Sequence, residues 1–353
     1  MRAVRTAILL LLATPALGED VVPFPPGTLQ FFDTKASFAV PAPDGGVWVA
    51  TKTGITRYTA AGAGVTYAIN PWNSAPRELA LAADGSIWFS TPYHIGRMSA
   101  SGVVVEQHSI DDAHHLTVAA DGALWFKRTP GDGIHRLSGG VVKDFAEPAH
   151  AWSSAPASGS DMWMLGTGFS GTPRSLFRVT ATGGVTEFPL SRKFLYGELR
   201  ALPDGTLYAS MGVYGSEILH IAPNGQILGR IRTATYHPFG LFVADSEGNI
   251  WTGGTGVLGY LDRSGSIAIV EMPSDPRTCE NKLFDNYIPL AVDSDGGVWI
   301  QVREDTLNQT PGFPVPPCDQ PAPPPLPDLI RVDAQQVLAA NPPHRRRSRP
   351  SRP

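Results

Sequence analysis

The sequence has 353 residues, a formal net charge of −4 and only 17% charged residues, against roughly a quarter in an average soluble domain. Its basic residues are scattered apart from the extreme C-terminus, which argues against a broad electropositive face and so against nucleic acid as a partner. Beyond the N-terminal segment no run approaches the roughly 18 to 20 apolar residues of a spanning helix, and the 37 Gly and 33 Pro point to many tight turns in an all-β chain.

In chain order, Arg2 and Arg5 come first, then an apolar run over 7–13, then Ala16, Leu17 and Gly18. This is the charged, apolar, small-residue order of a secretory signal peptide. It predicts a signal peptide over 1–18, a mature chain from Glu19, and export to the periplasm or the extracellular space. A strand candidate follows at 28–32. The phrase Asp-Gly-x-x-Trp then recurs: Asp44-Gly45 to Trp48, Asp84-Gly85 to Trp88, Asp121-Gly122 to Trp125, and Asp295-Gly296 to Trp299. Weaker copies fill the gap at Asp161 to Trp163, Asp204-Gly205 to Tyr208, and Glu247-Gly248 to Trp251. The anchors lie 37 to 48 residues apart, the period of propeller blades, and no segment holds a 3.6-residue periodicity.

A second phrase, apolar-x-Arg-apolar, follows each anchor. It reads through Arg57, Arg97, Arg136 and Arg178, changes to His220 and Tyr260 in the next two copies, and returns at Arg331. A Gly turn and a β-rich run close most units, as in Gly102-Val103-Val104-Val105. Each unit therefore predicts a four-stranded antiparallel meander. Asp-Gly supplies the positive φ of a tight hairpin, and a lone meander must pack against neighbours on both sides to bury its faces. The fold predicted is a seven-bladed β-propeller over 19–341, a closed ring expected to stand as a monomer. The repeated Trp reads as core between blades, the repeated Arg as architecture, and the turn Asp residues as turn chemistry.

A Pro-rich insertion at about 303–327 interrupts the last unit. The fourth strand of that unit has two candidates, 336–339 and 28–32, and the N-terminal one is favoured because it clasps the ring. The two cysteines, Cys279 and Cys318, are expected to form a disulfide in an oxidising compartment, two free thiols being the alternative. Residues 342–353, rich in Arg and Pro, are expected to form a disordered tail.

These phrases resemble the streptogramin B lyase (virginiamycin B lyase-like) family. The best copy is Asp84-Gly85-Ser86-Ile87-Trp88-Phe89 followed by Ile95-Gly96-Arg97, and the likeness covers nearly the whole mature chain. The resemblance implies a metal-assisted elimination that opens a cyclic depsipeptide at its ester C–O bond, with Mg²⁺ polarising the substrate and a His as base. It also implies a Glu three residues past each anchor. Here those positions hold Thr51, Thr91, Arg128, Gly166, Met211, Gly254 and Val302, none of them the anionic oxygen donor a hard cation prefers.

The loops entering the innermost strands should gather at one mouth of the channel. They bring Arg77, Glu78, His114, His115, His150, Trp152, Glu198, His237 and Tyr287, and the loop after the third anchor adds Arg128. Two readings stay open. In the first, the chain is a non-catalytic module that binds a small molecule, glycan or protein partner at the channel mouth. In the second it is a lyase or hydrolase with a relocated site, Glu78 and Glu198 holding Mg²⁺ and His237 or His115 serving as base.

Overall fold

The computed structural model describes residues 22–23, 29–32, 34, 36–69, 74–128, 133–146, 150–167, 174–191, 197–211, 217–232, 242–254, 257–264, 266–272, 286–303 and 329–345. They form seven antiparallel meanders. Blade one runs through Ala36–Pro41, Val47–Thr51, Gly54–Tyr58 and Gly64–Tyr67, and the next five follow the same order outward from the channel. Blade seven is composite: Asn286–Val292, Gly297–Arg303 and Leu329–Asp333 come from the C-terminal part, and Leu29–Phe32 pairs antiparallel along Leu329–Asp333 as the outermost strand. The N-terminal strand therefore closes the ring. The rival segment is helical instead, within Ala334–Ala340, where the Asp333 side chain caps the helix by accepting the Gln336 N–H.

Seven apolar clusters hold the ring, each drawing its residues from two adjacent blades. Every anchor is buried: Trp48, Trp88, Trp125, Trp163, Tyr208, Trp251 and Trp299 are at most 3% exposed. Each ring removes roughly 150–250 Å² from water, worth several kcal/mol per blade at about 25 cal/mol/Å².

The two sequence phrases meet in space. In every blade the anchor is the cross-strand partner of the second phrase's central residue: Trp48 with Arg57, Trp88 with Arg97, Trp125 with Arg136, Trp163 with Arg178, Tyr208 with His220, Trp251 with Tyr260 and Trp299 with Arg331. The guanidinium lies over the indole at 5.4 to 5.9 Å in blades one to four and reaches an Asp at its own blade's turn, as Arg57 does to Asp44 and Arg97 to Asp84 at 2.5 Å. Blade five lacks the Arg, and its Asp204 is served by Arg263 of blade six at 2.7 Å. Hydrogen bonds from Thr206, and then Arg263, hold the Asp204 carboxyl down at about 2. Because these pairs are partly solvated, Arg57→Gln is expected to cost only about 1 kcal/mol in urea denaturation. A loss above about 3 kcal/mol would show that the guanidinium carries more than a turn contact.

Both ends of the described chain finish on the outer edge of blade six. Val22–Pro23 pairs parallel with Val270 and Glu271, and His344–Arg345 pairs antiparallel with Ser266 and Ile267. The described chain thus runs to Arg345, past the boundary at 342 expected for a disordered tail. Residues 346–353, the segment 1–18, most of the insertion, Cys279 and Cys318 lie outside the described residues. Among the described residues no helix is long and apolar enough to cross a membrane.

Candidate functional site at the channel mouth

In an antiparallel meander the loops into the innermost strand and the loops after the anchor strand share one end, which sets the mouth. The innermost strands are tied across blade boundaries by polar groups. Ser37 of blade one donates to Pro76 O at 3.5 Å, Glu78 of blade two accepts the Leu116 N–H of blade three at 3.0 Å, and Thr117 meets Ser154 of blade four at 2.6 Å. Ser153 accepts the Leu199 N–H of blade five at 3.0 Å, Arg200 donates to Phe242 O of blade six at 3.3 Å, and Gln301 of blade seven donates to Ala36 O at 2.6 Å. Between blades six and seven the backbones themselves meet: a Cβ at Gly253 would overlap the Tyr287 carbonyl.

The structure brings Glu78, His114, His115 and Glu198 into one electrostatic neighbourhood. Blade three's innermost strand, Ala113–Val118, is bulged between His114 and Thr117. His115 in the bulge has φ 54 and Asp112 just before the strand has φ 48, left-handed values rare for residues other than Gly. Such strain concentrates where a side chain is being re-aimed. His114 Nδ1 donates to Asp112 O at 3.0 Å, and the His114 and His115 rings stand 4.9 Å apart. Burial, then the charges of His114 and Lys127, lowers the His115 imidazole to about 4. The crevice behind it, lined by Phe126, Ile134, Met162 and Met164, has no room for a water molecule, which accounts for the desolvation. Burial likewise pushes the Glu78 carboxyl up; the Leu116 and His115 N–H groups and the charge of His114 pull it back, and Glu198 adds to the rise.

The other rim residues divide. Arg77 pairs with Asp112 at 2.6 Å with both side chains half exposed, Glu198 pairs with Arg200 at 2.8 Å, and Arg128 is exposed near the Asp111 carbonyl. His150 is exposed, and Trp152 packs partly buried against the cluster between blades four and five. Tyr287 does not belong to the rim: it is 2% exposed, in the core between blades six and seven, because its position in the innermost strand turns the ring into the blade interface. His237 lies outside the described residues. Sequence reading missed Lys127, whose Nζ donates to Ala151 O at 2.9 Å, and Arg200.

Among the described residues the donor set does not fit a hard divalent cation. Among the described residues no three His, Cys, Asp or Glu side chains gather in ligating geometry. The relocated carboxylates are committed elsewhere, Glu78 to a backbone N–H in a desolvated site and Glu198 to a guanidinium. At the family's carboxylate positions Thr51 donates to Gly54 O at 2.9 Å and Thr91 accepts the His94 N–H at 3.0 Å, so both are turn residues.

Seven radially packed four-stranded blades around a polar channel mouth define a seven-bladed β-propeller. A model of the Virginiamycin B lyase family matches residues 28–253, and the chain belongs to that family. Among solved structures, a streptogramin B lyase aligns at 20% identity and a TM-score of 0.58, covering 77% of this chain and 93% of that one. A catalytically inactive variant of virginiamycin B lyase from Staphylococcus aureus with quinupristin aligns at 18% identity and a TM-score of 0.60, covering 78% and 96%. At such identity the likeness is one of fold. No match is found among curated proteins.

Proposed function

We propose that this chain is an exported binding propeller, which holds a small ligand or a partner at its channel mouth without cleaving it. One observation carries the reading: none of the seven positions where the family resemblance calls for a Glu holds a carboxylate, and one holds the exposed Arg128. At the mouth Arg77, Lys127 and Arg200 are engaged with Asp112, the Ala151 carbonyl and Glu198, and the exposed Arg128, held by one long contact to the Asp111 carbonyl, offers donors that suit the oxygen acceptors of a ligand better than a cation. The N-terminal Arg residues, apolar run and Ala-Leu-Gly triplet support export.

Incubation with quinupristin and Mg²⁺ tests the reading. An elimination conserves mass, so the readout is a chromatographically new species of unchanged mass. The expected result is intact quinupristin and a melting temperature that Mg²⁺ shifts by less than about 1 °C. A linearised isomer formed only with Mg²⁺, and lost in Glu78→Gln or Glu198→Gln, would replace this reading with the relocated lyase.

A further inference from the structure

On the face opposite the mouth, one boundary differs from the rest: blades five and six place Ile231 and Val270 at the position over the anchor, and blade two places a polar residue there. At four boundaries an aromatic residue of the outermost strand seals the groove over its own blade's anchor: Phe32 on Trp299 at 4.8 Å, Tyr67 on Trp48 at 5.8 Å, Phe145 on Trp125 at 5.2 Å and Phe188 on Trp163 at 5.6 Å. The same four rings lie against a turn glycine of the next blade, Gly62, Gly102, Gly183 and Gly225. Register fixes the position, since each ring is the cross-strand partner of the first core residue of the Arg strand, Leu329, Ile55, Ile134 and Leu176.

Blade two breaks this rule twice over. The partner of Ile95 is His108, whose imidazole is bonded to Glu106 at 2.8 Å. The facing turn of blade three is a tight one, with Ser138 paired directly to Val141, and side chains built at Gly139 and Gly140 would meet nothing within 4 Å. A cleft of about 340 Å³ results, walled by Trp88, Arg97, Glu106, Asp121, Leu137 and Gly140. Among the described residues the buried Trp88 indole N–H has no hydrogen-bond partner, whereas Trp125, one blade on, donates to Ser160 O at 3.2 Å.

We propose that this cleft is a saccharide-binding site that seats one sugar ring where four other blades seat an aromatic side chain. Two carboxylates, Glu106 and Asp121, call for donors, while the Arg97 guanidinium, partly exposed beside them, calls for an acceptor. A hydroxyl is both. Glu106 and Asp121 in the lining, against the single guanidinium of Arg97, disfavour an anion. The volume reaches the lower end of ligand pockets, about 300 Å³. The site stands apart from the channel mouth and is independent of the reading proposed for it.

Titration calorimetry of the full chain with glucose, N-acetylglucosamine, maltose and cellobiose tests the proposal. Saturable binding of at least one sugar is expected, with a Kd of about 1 mM or tighter. His108→Phe, which restores the aromatic seal, and Glu106→Gln should each weaken it about tenfold or more. A raised melting temperature in His108→Phe reports that the ring has seated. Asp295→Asn, in the corresponding turn of blade seven, should leave the affinity unchanged. No saturable binding of any of the four sugars up to about 100 mM, or an affinity that neither cleft substitution changes, would overturn the proposal.

Discussion

Asp293→Ala is expected to destabilise the ring by about 3–5 kcal/mol, the cost of removing one partner from a buried ion pair. The Asp293 side chain is 0% exposed and its Arg331 partner 10%. Its carboxylate accepts Arg331 Nε at 2.7 Å, Trp299 Nε1 at 2.8 Å and the Gly297 N–H at 2.8 Å. Alanine leaves a buried guanidinium and a buried indole N–H unmatched in the blade where the N-terminal strand closes the circle. Guanidinium denaturation measures the effect, with Asp295→Ala in the exposed turn nearby as the comparison, expected within about 0.5 kcal/mol of the parent. A loss below about 1 kcal/mol at Asp293 would mean that the seam does not depend on this pair.

Acidification should weaken the ring through His115. The imidazole takes up its proton near 6.5 in the unfolded chain and only near 4 in the folded ring. Between those values the unfolded state binds more protons, so stability falls as pH drops through the window, by up to about 3 kcal/mol once pH is below 4. Glu78 acts with the opposite sign. Its folded carboxyl is raised, so it contributes stability at low pH that is lost as pH rises from about 4.5 through the folded value. Melting temperatures from pH 7 to 4 separate the two. His115→Asn, chosen because Asn tolerates the left-handed backbone, should flatten the acid decline, and Glu78→Gln should steepen it while leaving neutral stability equal or higher. A decline unchanged in His115→Asn would overturn the buried neutral imidazole.

Much of the architecture is legible without coordinates because the repeat states it redundantly. The anchors and the two phrases that frame them, degenerate copies included, each count to seven, and a strand's side chains alternate between two faces, so an aromatic at a fixed offset from a hairpin must face the neighbouring blade. The closing strand, favoured at 28–32 because it clasps the ring, is Leu29–Phe32 in the structure. The rim was legible only as a set of loops. Glu78, His114, His115 and Glu198 come from three blades and do converge, but Tyr287, equally polar on paper, turns into the core. Two residues before the Asp-Gly turn stands Ala at Ala42, Ala82 and Ala119 but Asp at Asp293, a difference visible in the sequence, whereas the buried Arg331 partner is visible only in the structure, since Asp245 at the same place in blade six bonds its own turn.

By itself the sequence determined the blade number, the antiparallel order, the buried anchors and the absence of Glu at the positions the family resemblance assigns to it, because periodicity and residue chemistry are local properties repeated along the chain. Only the tertiary structure decided which polar groups meet: that Glu78 is tied to a neighbouring backbone, that a bulge strains His115 into a dry corner, and that His108 and a short turn open one groove of the ring. Those outcomes depend on register and on distances across blade boundaries, which residues far apart in the chain set jointly and no single stretch encodes.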